Sequence, residues 1–369
     1  MTSSFRDFLL LTSICIALVC IWTTLFNTND RLTLFTFREE VLVHEITIGC
    51  YGFWPGGNCT EILAGRLIPE FFRVRLLYVE ADPDILIVSV FGNQKMETKA
   101  LLSKSAHSFK IFYSGENQDH TDLRGGPLEP LDLSLGSRCP SASHIACIRF
   151  PVWMENILTS TCQIRPAVLA YTNQTSESWM ARPCFASLVS GHGGYPREEL
   201  FQALSNVGSV EAPGRFMHNV PDISDKIDFL KKCRFNICPE NSHGAGYVTE
   251  KLYDATGAGA IPVYWGEDNP EPHFINSERI INLSPSDDMK ALIDKVELLE
   301  KNASAREHFF SKPLFVPEAQ AYIESICTNY LDHISARFPH LRPTKHYVKM
   351  ARLWKRMSWE MTSASRGGG

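Results

Sequence analysis

The stretch at residues 232–266, KCRFNICPENSHGAGYVTEKLYDATGAGAIPVYWG, constrains the fold of this chain more than any other. An apolar run at residues 235–238 has the length and composition of a strand, and it breaks into a polar turn at residues 240–244. A helix is predicted to begin after Thr249 and to end at a pair of glycines. Because a second strand is predicted at residues 261–265, the stretch forms one strand, loop, helix, strand unit of the parallel α/β kind.

Three side chains at the mouth of this unit have chemistry that suits a nucleotide diphosphate, namely Tyr247, Glu250 and Lys251. In parallel sheets, ligands bind at the carboxyl ends of strands, and a helix N-terminus there offers unpaired N–H groups to an anion. A lysine at this place neutralises phosphate charge, a carboxylate accepts hydrogen bonds from ribose hydroxyls, and a tyrosine donates or stacks. The alternative is an ordinary helix start with a solvated Glu250–Lys251 pair, which is the commoner fate of isolated charges.

The segment at residues 240–266 closely resembles the donor-binding motif of the α1,3/α1,4-fucosyltransferases, the inverting GDP-fucose enzymes of glycosyltransferase family 10. YSGEN at residues 113–117 and RPCFASLVSGHGGYPREELFQAL at residues 182–204 also resemble family segments. The resemblance implies a GT-B fold, in which two Rossmann-like domains face a cleft, with the acceptor on the first and GDP-fucose on the second. One departure is Pro239, which replaces a usual aromatic residue and, lacking a backbone donor, should end its strand.

The resemblance also implies residue roles. Glu116, at the carboxyl end of a strand predicted at residues 109–113, would be the general base. The donor-binding residues would be Arg197, Asn241, Tyr247, Glu250 and Lys251. Arg197 and Lys251 would stabilise the departing diphosphate, so the implied scheme needs no metal and no cofactor besides the donor substrate. By residue type alone, Glu116 and Arg197 would more often be solvated surface residues.

Composition and charge narrow the classes of partner. The chain has 369 residues, 44% of them hydrophobic and 21% charged, which is a globular composition with room for two domains. A net charge of −5 gives no basic footprint, so nucleic acid is not an expected partner. The triplet Asp82-Pro83-Asp84 has the spacing of a metal motif, but it precedes the strand predicted at residues 85–90, and ligands gather at the other end of strands.

The cysteines allow disulfides without revealing their pairing. Nine lie outside the apolar N-terminal segment, and none are spaced as C-x-x-C, so a zinc ribbon or a thioredoxin-like motif is poorly supported. An odd number leaves at least one thiol.

The first 38 residues predict a membrane anchor. Residues 8–26 contain no charged residue and are long enough to cross a bilayer as a helix, whereas a cleaved signal peptide would need a small-x-small site that is missing after residue 26. Glycosylation sequons begin at Asn58, Asn173 and Asn302. We therefore expect a type II protein of the Golgi or endoplasmic reticulum membrane, with a cytoplasmic tail at residues 1–7, a stem at residues 27–38 and a lumenal body.

The expected domains are an acceptor-side Rossmann-like domain at residues 39–170, a GDP-fucose-binding domain at residues 171–330 and a C-terminal helix and tail at residues 331–369. The expected reaction is transfer of fucose to O3 of GlcNAc in a glycan or glycoprotein acceptor, in α1,3 linkage. Two alternatives stay open at this point: a membrane-anchored protein that binds nucleotide or glycan without turnover, and a GT-B enzyme that uses another nucleotide sugar.

Overall fold

The computed structural model describes residues 44–54, 57–91, 101–117, 131–139, 145–283 and 288–353. These residues belong to one compact unit, His44–Gly369. The anchor predicted at residues 8–26, like the tail and stem around it, lies outside the described residues. Within the described ranges, no helix is both long enough and apolar enough to span a bilayer.

The first half of the described chain forms a six-stranded sheet in the order β2-β1-β3-β4-β5-β6, with neighbouring strands parallel. Its strands are β1 (His44–Tyr51), β2 (Val74–Tyr78), β3 (Ile85–Val88), β4 (Phe109–Tyr113), β5 (Leu133–Gly136) and β6 (Ala146–Arg149). β1 leads through α1 (Leu63–Phe72) to β2 on one side, whereas β3 and β4 follow on the other side. The chain therefore reverses its direction across the sheet between β1 and β3, which makes that gap a topological switch point.

Three short helices connect this sheet to a second one: α2 (Met154–Ile157), α3 (Pro166–Leu169) and α4 (Ser176–Met180). The second sheet is also parallel, in the order β11-β10-β9-β7-β8. In chain order its elements are β7 (Cys184–Leu188), α5 (Arg197–Ser205), β8 (Val210–Glu211), α6 (Lys226–Leu230), β9 (Cys233–Pro239), α7 (Glu250–Gly257), β10 (Ile261–Trp265) and β11 (Ile281–Asn282). Its switch point lies between β7 and β9, because α5 leads outward from β7 while α7 leads the other way from β9.

The C-terminal helices pack against elements of both halves of the structure. They are α8 (Met289–Lys301), α9 (Ala303–Ser311) and α10 (Ala319–Arg337). The sequence of residues 317–331 predicts a helix that returns toward the first domain, and α10 does so: the Tyr330 hydroxyl donates to the Ala64 carbonyl of α1 at 2.9 Å. Beyond it, residues 345–353 form a helix that buries Tyr347 and Met350 against the core of the first half.

Eight of the nine cysteines beyond the N-terminal segment are paired. The disulfides are Cys50–Cys59, Cys139–Cys147, Cys162–Cys327 and Cys184–Cys233. Cys238 is a buried free thiol. The expectation that an odd cysteine count leaves a thiol is therefore confirmed for these nine positions.

The α/β class with parallel sheets is as predicted, and the differences from the sequence prediction are at element ends. The sequence of residues 60–71 predicts a helix, but α1 begins at Leu63, because the Glu155 carboxylate of α2 accepts the Leu63 N–H at 2.6 Å and caps the helix there. The sequence of residues 41–48 predicts a strand, and β1 is described from His44 and continues to Tyr51. β9 ends at Pro239, as the departure at that position predicted.

Candidate functional site

A cavity of about 210 Å³ opens at the switch point of the second sheet, between the carboxyl ends of β7 and β9. Its walls include Arg197, Asn241, Glu250 and Lys251, which are four of the five residues predicted to bind the donor. This is the place where open parallel sheets bind ligands, because the chain leaves the two strands in opposite directions and opens a crevice. The sequence prediction and the topology thus meet at one site.

Glu240 is not among the predicted donor-binding residues, but its side chain binds the residue at the start of α7. Its carboxylate is fully buried and accepts the backbone N–H of Thr249 at 2.7 Å and the Thr249 hydroxyl at 2.6 Å. Thr249 occupies the N-cap position, as predicted, but its hydroxyl makes no capping bond. Burial raises the pKa of Glu240, while Lys251 and the bonds from Thr249 oppose that rise.

Lys251 lies between two carboxylates. Its Nζ is 3.2 Å from Glu240 and 3.4 Å from Glu250. Burial disfavours its charge, but Glu240 and Glu250 outweigh burial and raise its pKa, so the ammonium stays charged. For Glu250 burial works against ionisation, yet Lys251 and Lys226 lower its pKa below the usual value. The cavity therefore presents a fixed ammonium beside a fixed carboxylate.

Arg197 is the first residue of α5 and is only 4% exposed, so it is not a solvated surface residue. Its guanidinium donates to the Asn241 side-chain oxygen at 2.8 Å and to the carbonyls of Glu240 and Gly193, each at 3.3 Å. Burial lowers its pKa, with Glu240 acting in the opposite direction. Arg197 thus ties the loop after β7 to the loop after β9 and brings a second cation to the cavity wall.

Glu116 follows β4 of the first sheet, and its loop lies near the loop that precedes Tyr247. Tyr247 is 2% exposed. Burial raises the pKa of its hydroxyl, and the carboxylates of Glu240 and Glu116 raise it further. Next to Glu116, the Asn117 amide donates to the Ser242 hydroxyl at 2.8 Å. The loop after β4 therefore contacts the loop after β9.

A buried cluster that the sequence did not predict holds the backbone just before Tyr247 in place. Arg149, at the end of β6, donates to the carbonyl of Gly246 at 3.3 Å and to the hydroxyl of Tyr322 at 2.8 Å. The same guanidinium binds the carboxylate of Glu271, and the Gly246 N–H donates to the carboxylate of Glu267. Both backbone groups of Gly246 are held, so the position of Tyr247 depends on residues from both sheets.

A larger cavity, of about 640 Å³, lies between residues 172–177 and residues 307–315. None of the predicted catalytic or donor-binding residues line it. It adjoins α4, which precedes the amino end of β7, so it lies away from the strand ends at which parallel sheets bind ligands. We therefore take the smaller cavity as the functional one.

The remaining predicted sites lie elsewhere on the surface. Asn173 and Asn302 are exposed, and the Asn302 side chain caps α9 by accepting the Ala305 N–H at 3.0 Å. The Asn58 side chain accepts the Thr60 N–H at 2.9 Å.

The Asp84 carboxylate accepts both the N–H and the hydroxyl of Thr47 at 2.8 Å, which gives this aspartate a structural role. In the part of the chain that the structure describes, no group of three or more His, Cys, Asp or Glu side chains is arranged to hold a metal ion.

Comparison with curated proteins finds relatives whose names refer to fucosyl transfer. The chain is 29% identical over 257 residues to the alpha-(1,3)-fucosyltransferase FucT of Helicobacter pylori, covering 63% of this chain and 53% of that protein. It is 24% identical over 244 residues to GDP-fucose protein O-fucosyltransferase 3 of Danio rerio, covering 63% of this chain and 52% of that protein. The chain spans about half the length of both relatives.

Solved structures share the fold. A crystal structure of an α1,3-fucosyltransferase superposes with a TM-score of 0.59 at 20% identity and covers 79% of this chain and 91% of its own. The same kind of enzyme with GDP-fucose gives a TM-score of 0.57 at 19% identity and the same coverage. The parallel α/β architecture is therefore that of known GT-B fucosyltransferase structures.

The second sheet carries the family signature. Residues 178–329, which contain β7 to β11 and the donor-side cavity residues, match the family model described as glycosyltransferase family 10 (fucosyltransferase) C-term. Glu116 lies outside that range. With the H. pylori relative and the shared fold, this match identifies residues 178–329 as similar to the C-terminal domain of glycosyltransferase family 10.

Proposed function

We propose that this protein is an inverting fucosyltransferase that moves L-fucose from GDP-fucose to an acceptor hydroxyl. The observation that carries the proposal is the gathering of Arg197, Asn241, Glu250 and Lys251 around one cavity at the β7–β9 switch point. A cavity of about 210 Å³ suits the diphosphate and ribose rather than a whole nucleotide sugar. The names of the relatives, which refer to fucosyl transfer and to GDP-fucose, support the choice of donor.

The proposed chemistry is a single displacement. The acceptor oxygen attacks C1 of fucose, the bond from C1 to the diphosphate oxygen breaks, and the acceptor proton passes to the Glu116 carboxylate. GDP leaves with the bonding electrons, and Lys251 and Arg197 stabilise its charge. Glu250 binds ribose, and Tyr247 and Asn241 shape the donor site. Because two side-chain cations face the diphosphate, the scheme requires no metal.

For the acceptor, we propose O3 of GlcNAc in a glycan or glycoprotein, with α1,3 linkage. The H. pylori relative is named for α1,3 transfer. The O-fucosyltransferase 3 relative is named for transfer to protein, which supports a peptide hydroxyl as the second candidate. An acceptor panel that contains chitobiose, N-acetyllactosamine and a folded glycoprotein stripped of its glycans distinguishes the two.

We further propose a type II orientation in the Golgi or endoplasmic reticulum membrane, with the body in the lumen. The uncharged run at residues 8–26 and four disulfides, which persist in oxidising compartments, support this placement. Glycosidase sensitivity of a glycan attached to Asn173, which is exposed, tests this placement. A body that stays unglycosylated and open to protease in intact microsomes contradicts it.

The decisive experiment compares the full chain with Glu116→Gln, and with Glu80→Gln as an exposed control. Each protein receives GDP-fucose and the acceptor panel, and GDP release and GDP-fucose binding are measured separately. We expect Glu116→Gln to lose on the order of 10²- to 10⁴-fold in kcat while it still binds GDP-fucose, because only the proton acceptor is removed.

Other outcomes distinguish the alternatives. Transfer that survives Glu116→Gln moves the base to another residue. GDP-fucose binding without transfer to any acceptor favours a binding protein without turnover. Preference for another nucleotide sugar in a competition assay favours a GT-B enzyme with a different donor, and a folded chain that does not bind GDP-fucose refutes the donor assignment.

A further inference from the structure

Two exposed aromatic side chains lie next to each other on the first sheet. Trp54 is 41% exposed and Phe91 is 48% exposed, and their rings meet edge to face with centroids 6.3 Å apart. Exposure of a single large apolar residue is ordinary, but two in contact form a surface that costs solubility and often marks a binding site.

The position of the pair is that of a ligand site. Trp54 follows β1 and Phe91 follows β3, so the two residues flank the topological switch point of the first sheet. Pairing continues past the strand ends, because Ser89 N–H donates to the Tyr51 carbonyl at 2.8 Å and Phe91 N–H donates to the Gly52 carbonyl at 2.7 Å. The backbone thus holds the two rings side by side where open parallel sheets bind ligands.

The indole of Trp54 packs closely against Gly57. A Cβ at Gly57 would lie 2.7 Å from the indole ring, so only glycine allows this close approach. The Gly57 N–H also donates to the Trp54 carbonyl at 2.8 Å.

A row of rings runs from the pair to Tyr113, which lies three residues before Glu116. Phe53 lies against Trp54, with centroids 5.5 Å apart, and stacks on Tyr113, with centroids 6.3 Å apart and an interplanar angle of 10°. Tyr113 is the last residue of β4, and Glu116 follows three residues later. The exposed pair and the proposed base therefore belong to adjoining parts of one sheet edge.

We propose that Trp54 and Phe91 form an acceptor subsite that binds a neutral sugar ring of the glycan acceptor by stacking. One face of a pyranose ring presents C–H groups, which an aromatic face attracts through its negative quadrupole and desolvates. Two rings are too small a surface for a stable protein interface, whereas they match a single sugar. The proposal rests on the fucosyltransferase function for the identity of the occupant.

The test measures acceptor binding and donor chemistry separately on the full chain. Variants Trp54→Ala, Trp54→Phe and Phe91→Ala are compared with the control Tyr78→Ala. Tyr78 is an exposed aromatic residue at the end of β2, an edge strand that β1 and β3 separate from β4. The readouts are acceptor KM, GDP-fucose KM, and calorimetric binding of N-acetyllactosamine and chitobiose in the presence of GDP. Thermal unfolding by circular dichroism verifies folding.

We expect Trp54→Ala to raise the acceptor KM and the glycan Kd at least tenfold, with GDP-fucose KM changed less than twofold. Trp54→Phe should recover part of the loss, and Tyr78→Ala should match the native protein. An unchanged acceptor KM in folded Trp54→Ala and Phe91→Ala overturns the subsite while the transferase function stands. Glycan binding that depends on Trp54 in a chain without transfer supports the subsite and refutes the function, and no glycan binding by the native chain overturns the subsite.

Discussion

Arg149 and Glu271 form a two-point ion pair, with N–O distances of 2.9 and 2.5 Å, that joins the last strand of the first sheet to the loop after β10. The side chain of Glu271 is 1% exposed, and the Trp153 indole N–H donates to it at 2.6 Å. Burial opposes the charge of Arg149, but Glu271 outweighs it and raises the pKa of the guanidinium. A buried pair of this kind is tolerated only because its hydrogen-bonding capacity is met on both sides.

Replacing Arg149 with Met should cost about 3–5 kcal/mol in the free energy of unfolding, because it leaves the Glu271 carboxylate buried without its cation. Urea denaturation at pH 7 measures the loss. Arg75→Met is the matched control: Arg75 is 3.6 Å from Glu45, both side chains are more than half exposed, and loss of such a pair costs about 1 kcal/mol at most. Equal losses in the two variants would show that the buried pair contributes nothing specific.

Gly246→Ala should weaken GDP-fucose binding by moving Tyr247. Gly246 has φ of +74°, and a Cβ there would lie 2.9 Å from the Ser137 carbonyl oxygen. Strain of this kind costs on the order of 1–3 kcal/mol, and the loop shifts to relieve it. We expect the GDP-fucose KM to rise more than the acceptor KM.

Gly257→Ala is the control for that variant. A Cβ at Gly257 would meet its nearest atom, on Val168, at an ordinary 3.7 Å, and the residue ends α7. It should leave both KM values unchanged and stability equal or slightly higher, since alanine favours a helix by up to about 1 kcal/mol. Identical kinetics for Gly246→Ala and Gly257→Ala would show that the Gly246 turn does not affect donor binding.

Lys251 has two roles that a double variant separates. Lys251→Met removes a donor-site cation and leaves Glu240 buried with its bonds from Thr249 but without the ammonium at 3.2 Å. We expect a Kd for GDP-fucose at least tenfold higher, about 1.4 kcal/mol, together with lower stability. Adding Glu240→Gln removes the uncompensated charge, so stability should recover while binding stays weak. Recovery of binding in the double variant would refute a direct role of Lys251 at the donor.

Local sequence signals predicted the helices and strands, because these depend on neighbours along the chain. β4 and β10 have the predicted bounds, and Glu250 and Lys251 lie on the predicted helix start. The missed features depend on distant partners. Arg149 and Glu271 are 122 residues apart, and Glu155, which sets the start of α1, is 92 residues from Leu63. Charge and residue type at one position do not specify a partner that only the tertiary fold brings near.

Glu155 makes the stability of the fold depend on pH. Its carboxylate accepts the Leu63 N–H at 2.6 Å, the Tyr113 hydroxyl at 3.1 Å and the Arg66 guanidinium at 3.3 Å. Burial raises its pKa, and the bond from Leu63 and the charge of Arg66 only partly offset the rise. The folded state therefore holds the proton more tightly than the unfolded chain, in which the pKa is about 4.3. Above that value, the contribution of Glu155 to the free energy of unfolding falls as pH rises through the folded pKa.

Glu155→Gln should reveal this dependence, since the amide keeps an acceptor for Leu63 but does not ionise. We expect the stability of the variant relative to the native protein to improve from pH 4 to pH 7.5, because only the native protein carries the cost of a buried charge at the higher pH. Urea denaturation curves at both pH values measure the difference. A relative stability that worsens as pH rises would mean that the ion pair with Arg66 outweighs burial and that the folded pKa of Glu155 lies below its unfolded value.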